Sequence, residues 1–221
     1  MKWYFLFPLI LQKLIWVPTR FQLSFFGRLH IQGLENLKGV KGPVIFACNH
    51  AGELDPFFVP AALSFFSRFS PIFYATREKA FYDTSGWRQP FYGGVLFKAI
   101  GGYPVYVGLH DYAKSMASHE GILADGGSLC VFPEGGITPD GHIQPAKGGV
   151  AYLAHTMEVP VVPVHIQGTY NLSAKDFFLR RRQLSVSFGT PVRMGKRGDP
   201  MPSLADFKAF ANVVMREVGR L

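Results

Sequence analysis

The chain has 221 residues, of which 48% are apolar, 15% aromatic and only 17% charged, with 21 phenylalanines and a net charge of +8. That length suits one domain with a core of its own. The basic balance favours anionic partners such as lipid surfaces or phosphorylated and acidic donors, and no nucleic-acid-binding motif accompanies it, so no nucleic acid is expected as partner. Cys48 and Cys130 each sit inside an apolar run and read as small buried residues rather than a disulfide framework. No CxxC or HExxH spacing is present, which argues against a structural zinc, and no metal site is expected.

Residues 1–28 form the first unit. Met1 to Leu11 superficially resembles a signal peptide, but no small-x-small cleavage site follows, and Gln12-Lys13 leads into more Leu, Ile, Trp and Val. A spanning helix needs about 20 apolar residues, and Lys13 and Pro18 interrupt any run of that length. The segment is expected to lie in a membrane interface instead. Trp3, Tyr4 and Trp16 would sit at headgroup depth, Lys2, Lys13 and Arg20 would face anionic lipid, and Phe21 to Phe26 would extend the surface. The opposing possibility is a core helix of an ordinary globular domain.

Residues 29–221 form the second unit, in which short strands and helices alternate. Strands are expected at Leu29–Gly33, Pro43–Cys48, Pro71–Ala75, Tyr103–Val107, Ser128–Phe132 and Val161–Ile166. Leu184–Phe188 alternates and reads as an edge strand with one wetter face. Helices are expected at Leu54–Phe66, Asp111–Ala124, Lys147–Met157 and Ser203–Leu221, the last amphipathic and capped by Ser203. Such alternation predicts an α/β fold with a largely parallel central sheet flanked by helices.

The chemistry-bearing residues fall where strands end. The run Asn49-His50-Ala51-Gly52-Glu53-Leu54-Asp55-Pro56 follows an apolar strand, and ligands bind at such carboxyl ends in open α/β sheets. His50 and Asp55 are five apart, so they can meet only if the chain turns between them, and Ala51-Gly52 offers the turn. A carboxylate on one ring nitrogen would leave the other free to take a proton from a hydroxyl. Equally, Asp55 before Pro56 makes a good N-cap with proline at the first helical position. Phe132-Pro133-Glu134-Gly135-Gly136 ends a second strand in the same way, either as a ligand-binding loop or as a plain turn.

Together, Asn49-His50 with Asp55, and then Phe132-Pro133-Glu134-Gly135, resemble the phospholipid/glycerol acyltransferase family, which includes the lysophosphatidic acid acyltransferases. In that family an NHxxxxD block precedes an FPEG block. The likeness continues through Gly141, Lys147 and Gly149 and through Val159 to Val164, and covers roughly Gly33 to Val192. It implies a membrane-associated enzyme at the cytoplasmic face of the inner membrane. That enzyme would move a fatty acyl group from acyl-CoA or acyl carrier protein, as co-substrate and without a cofactor, to a hydroxyl of a lysophospholipid such as 1-acyl-glycerol-3-phosphate. His50 would be the base and Asp55 its partner, with Asn49, Glu134, Gly135 and Gly136 positioning the acceptor.

Two positions depart from the family pattern. Val107 and Ile137 stand where arginines usually hold an acceptor phosphate, and Lys147, Arg77 or Lys79 would have to supply the charge. A phosphate-free lipid acceptor is the alternative. From another class, a non-catalytic basic membrane-surface protein would leave His50 and Asp55 structural. The basic run Lys175, Arg180, Arg181 and Arg182, with Arg193, Lys196 and Arg197, reads as a seat for an acidic carrier or anionic lipid, or as a solvated face.

Overall fold

Successive residues of the central strands face opposite ways, and both directions are dry. Ile45 and Ala47 point into one buried cluster while Val44, Phe46 and Cys48 point into the other. This computed structural model describes residues 2–77, 98–106, 111–195 and 200–221. Within them lie α1 (Trp3–Phe25), β1 (His30–Gln32), β2 (Ile45–Cys48), α2 (Phe58–Ala62), β3 (Ile72–Thr76), β4 (Gly102–Pro104), α3 (Tyr112–Ala124) and β5 (Ser128–Val131). They are followed by α4 (Gly149–Thr156), β6 (Val161–Gln167), α5 (Ala174–Phe178), β7 (Ser185–Phe188) and α6 (Leu204–Arg220).

The strands form one sheet in the order β1-β7-β6-β2-β5-β3-β4. Pairings among β6, β2, β5, β3 and β4 are parallel, and of the described strand pairs only β6–β7 is antiparallel. The sheet is therefore largely parallel, as the alternation of elements predicts. Helices α3, α4 and α6 cover one face and α2 with the last turns of α1 the other, while Tyr4 and Phe5 in the first turn of α1 pack on the first cluster. At the start of α6 the expected cap is present: Ser203 and Asp206 form a reciprocal capping box.

Two expectations are corrected. β7 is not an edge strand, because β1 pairs beyond it through His30↔Ser185 to Gln32↔Ser187. Its alternation comes from a half-covered face, with Val186 and Phe188 buried and Ser185 and Ser187 only partly so. The helix expected over Leu54–Phe66 is a 3-10 turn, Asp55–Phe57, followed by the five residues of α2. Pro60 removes an intrahelical donor, and the Tyr74 hydroxyl takes the Pro56 carbonyl that it frees, at 3.1 Å.

Two prolines lie inside α1. The helix runs unbroken for 23 residues through Pro8 and Pro18, although each proline costs about 3 kcal/mol in a helix interior. Side-chain pins to the domain hold it in place. Gln12 donates Nε2 to the carbonyls of Ile72 and Ile100 and accepts the Ile72 N–H. Trp16 Nε1 donates to Pro60 O at 3.1 Å and Arg20 to Ala61 O at 2.8 Å, so these two also satisfy the carbonyl end of α2. The face turned away from the domain carries Trp3, Phe7, Ile10, Leu14, Val17, Phe21 and Phe25, all exposed. Those positions recur every three or four residues, which makes one apolar stripe along the helix. No described helix is long and apolar enough to cross a membrane.

Candidate active site

β2, β5 and β6 lie side by side and parallel, so the loops leaving their carboxyl ends meet. The β2 loop turns back on itself at Ala51-Gly52. His50 Nδ1 reaches Asp55 Oδ2 at 2.9 Å, and the same oxygen accepts the amides of Ala51 at 2.6 Å and Gly52 at 2.8 Å. Asp55 thus bonds backward into the turn and makes no forward cap, which corrects the N-cap possibility. Gly52 is required there, because a Cβ would lie 2.7 Å from the Thr169 carbonyl oxygen at the end of β6.

Asp55 is fully buried, and its second oxygen has no hydrogen-bond partner among the described residues. The oxygen that takes the two amide N–H groups also faces Nδ1, where it can only accept. That fixes Nδ1 as donor and leaves Nε2 as the basic nitrogen. The His50 side chain keeps 17% of its surface exposed, and its ring stacks on Phe132 at 4.1 Å with 23° between planes.

The β5 loop fixes the same histidine from the other side. Glu134 Oε1 accepts the His50 N–H at 2.8 Å, its Oε2 accepts the Gln144 N–H at 2.9 Å, and the Thr138 N–H donates to the His50 carbonyl at 2.8 Å. Burial pushes the Glu134 carboxyl above its ordinary range, and the Gln144 and His50 amides pull against that shift. Asn49 is spent in the same manner: its amide donates to Ile166 O at 2.8 Å and accepts Ile166 N at 2.7 Å, clamping β2 to β6. Asn49 and Glu134, expected to position the acceptor, hold the backbone at and around His50 in place.

A cationic seat adjoins these groups. Gly135 has φ +79°, and a Cβ there would lie 2.7 Å from Lys147 Nζ, so only glycine lets the lysine lie along the loop. Arg77 donates Nε and a terminal nitrogen to the Gly135 carbonyl at 3.1 and 2.6 Å. Burial and the Arg77 charge lower the Lys147 pKa, and no described acid pairs with its ammonium. At Gly136 a Cβ would meet nothing within 4 Å, so the loop opens there. Ile137 is exposed and brings no charge. Lys79, Val107, Lys196 and Arg197 lie outside the described residues.

Residues 28–167 match the acyltransferase family. The chain belongs to that family. It is 28% identical over 144 residues to a chloroplast 1-acyl-sn-glycerol-3-phosphate acyltransferase of Brassica napus, a match covering 65% of this chain and 38% of the relative. It is 26% identical over 179 residues to a 1-acyl-sn-glycerol-3-phosphate acyltransferase of Chlamydomonas reinhardtii, covering 80% of this chain and 50% of that one. The chain thus spans half or less of the length of these two relatives. The crystal structure of the 1-acyl-sn-glycerophosphate acyltransferase of Thermotoga maritima shares the fold, with a TM-score of 0.60 and 20% identity over 95% of this chain and 81% of that one.

The two motif blocks bring His50, Asp55 and Glu134 together, but the supports of these residues extend beyond the blocks. Thr138, Gln144 and Ile166 were not foreseen. Each acts through backbone groups, which leave no mark on residue type. Phe132 was visible as part of the FPEG block, but its stacking on the imidazole was not.

Proposed function

We propose that this chain transfers a fatty acyl group from a thioester, acyl-CoA or acyl carrier protein, to a hydroxyl of a lysophospholipid such as 1-acyl-glycerol-3-phosphate, in phospholipid synthesis. The observation that carries this reading is the His50–Asp55 pair, with Nδ1 bonded at 2.9 Å to a buried carboxylate and Nε2 left available. His50 Nε2 would take the proton from the acceptor hydroxyl as its oxygen attacks the thioester carbonyl carbon. Collapse of the tetrahedral intermediate breaks the C–S bond, and the imidazolium returns its proton to the leaving thiolate. No side chain of this chain need be acylated, and no cofactor is called for. The names of the curated relatives support the same acceptor.

Lys147 and Arg77 support a phosphate on that acceptor, replacing the charge that Ile137 does not supply. Ile137 favours the second reading, in which the acceptor lacks a phosphate there. The apolar stripe of α1 supports action at a membrane surface, with the site open to the bilayer's own lipids. On the family likeness, that surface is the cytoplasmic face of the inner membrane.

Side-by-side kinetics on lysophosphatidic acid and a neutral lysolipid test the acceptor. With Lys147 as the phosphate partner, Lys147→Ala raises KM for lysophosphatidic acid by about tenfold or more and leaves the neutral acceptor little changed. A higher kcat/KM for the neutral acceptor, with no discrimination by Lys147→Ala, establishes the phosphate-free reading instead.

A further inference from the structure

The outer stripe of α1 does not end in solvent. Beside its last turn, α5 presents Phe178 and Leu179, which are 57% and 55% exposed although their neighbour Phe177 is core. The rings form a chain: Phe21 stacks on Phe25 at 5.6 Å, Phe25 meets Phe26 edge-on at 5.0 Å, and Phe26 meets Phe178 edge-on at 5.1 Å. Two segments about 150 residues apart in sequence thus build one continuous apolar surface.

Charge frames this surface on one side. Between Ser173 and Leu184 the chain carries Lys175, Arg180, Arg181 and Arg182 against Asp176 alone. Asp176 faces Arg181 at 3.5 Å, and Arg182 turns inward to the carbonyls of Tyr170 and Gly168. Arg180 lies over the Phe25 ring at 4.7 Å, and neither it nor Lys175 has an acidic partner among the described residues. Exposed aromatics rimmed by unpaired cations match an anionic bilayer, with apolar groups entering the acyl boundary and cations meeting headgroups. An acidic carrier protein would use the cations but gives no reason for bare Phe178 and Leu179.

The surface also lies at the catalytic end of the sheet. Arg182 is tied to Gly168 and Tyr170, and Thr169 between them packs on Gly52 of the His50 turn. We infer that Phe178, Leu179 and Arg180 form a second contact with an anionic bilayer, continuous with α1, that sets the catalytic end of the sheet against the lipid. The inference rests on the membrane-surface reading of the function.

The test uses the full chain, phosphatidylcholine vesicles with and without phosphatidylglycerol, and the variant Phe178→Ser/Leu179→Ser/Arg180→Asn. Arg180 has φ +58°, which asparagine tolerates, and all three side chains are exposed, so the variant is expected to melt like the parent. Flotation on anionic vesicles should weaken by at least about tenfold, with residual binding through α1. Turnover of a bilayer-embedded lysophospholipid should fall alongside it, while turnover of a short-chain, fully dissolved acceptor stays at the parent's rate. Arg180→Glu alone should reduce the preference for phosphatidylglycerol and keep part of the binding. Unchanged flotation by the triple variant overturns the inference, and a raised KM for an acyl-carrier-protein donor in that case assigns the patch to the carrier. Flotation is read without catalysis, and the dissolved acceptor reads catalysis without a membrane, so failure of the surface and failure of the enzymatic reading are separable.

Discussion

At the scale of single residues, Asp55 bears the greatest demand, because one of its oxygens accepts from His50 and from two amides while the other has no described partner. In Asp55→Asn an amide oxygen in that place can keep the turn and still accept from Nδ1, but it carries no charge to stabilise the imidazolium that forms as the base takes its proton. The base is weakened without loss of the fold. We expect kcat to fall by roughly 10²–10⁴ with a melting temperature close to the parent's, read by steady-state thiol release and calorimetry. Glu134 acts one step away. Glu134→Gln can accept only one of its two amides, so kcat should drop by about tenfold or more, with KM for the donor unchanged; a KM effect alone would assign Glu134 to substrate contact. The His50–Asp55 meeting was legible because a spacing of five with glycine inside permits contact only through a turn. The use of Asn49 was not, since its partner Ile166 is 117 residues away.

At the scale of elements, two buried polar arrangements set stability. His119 on α3 is fully buried, and neither ring nitrogen makes a well-formed hydrogen bond among the described residues. Burial lowers its pKa to about 4 from 6.5, and the nearby carbonyls of Tyr103 and Tyr74 offset only part of that. Between pH 6.5 and about 4 the unfolded chain therefore takes up a proton that the folded one refuses, so stability falls as pH falls through that window. The loss is on the order of 3 kcal/mol, and His119→Leu should remove this component, leaving a flatter dependence in urea unfolding across the window. A slope unaltered by the substitution would mean that other groups carry it. Gln12 is the second case: Gln12→Ala strands the Ile72 amide and two carbonyls, and should cost roughly 2–3 kcal/mol in the same unfolding experiment. Helix α6 could be foreseen from its periodicity and its Ser203 cap. The shortness of α2 could not, because it depends on Tyr74 and α1 supplying partners that Pro60 and an early helix end leave over.

On the scale of the whole molecule, the class of fold was legible because apolar runs alternate with helical periodicity, whereas the order of strands was not. Neighbours in the sheet such as β2 and β6 are far apart in sequence, and nothing local marks β7 as an inner strand. That order nevertheless makes the site, since β5, β2 and β6 bring three loops to one end and α1 passes across the face toward it. Removing residues 1–18 should move the protein off vesicles and reduce turnover of a bilayer-embedded acceptor, and added salt should weaken what binding the cations contribute. Truncated protein that floats as well as the full chain would place the anchor elsewhere. The central claim, a histidine base driving acyl transfer, is tested most directly by thiol release from acyl-CoA with lysophosphatidic acid, comparing the purified parent with His50→Ala and identifying the lipid product by mass. The account predicts acceptor-dependent thiol release with a doubly acylated product, and a loss of roughly 10²–10⁴ in kcat for a variant that remains folded. Turnover by folded His50→Ala within a few-fold of the parent would contradict it.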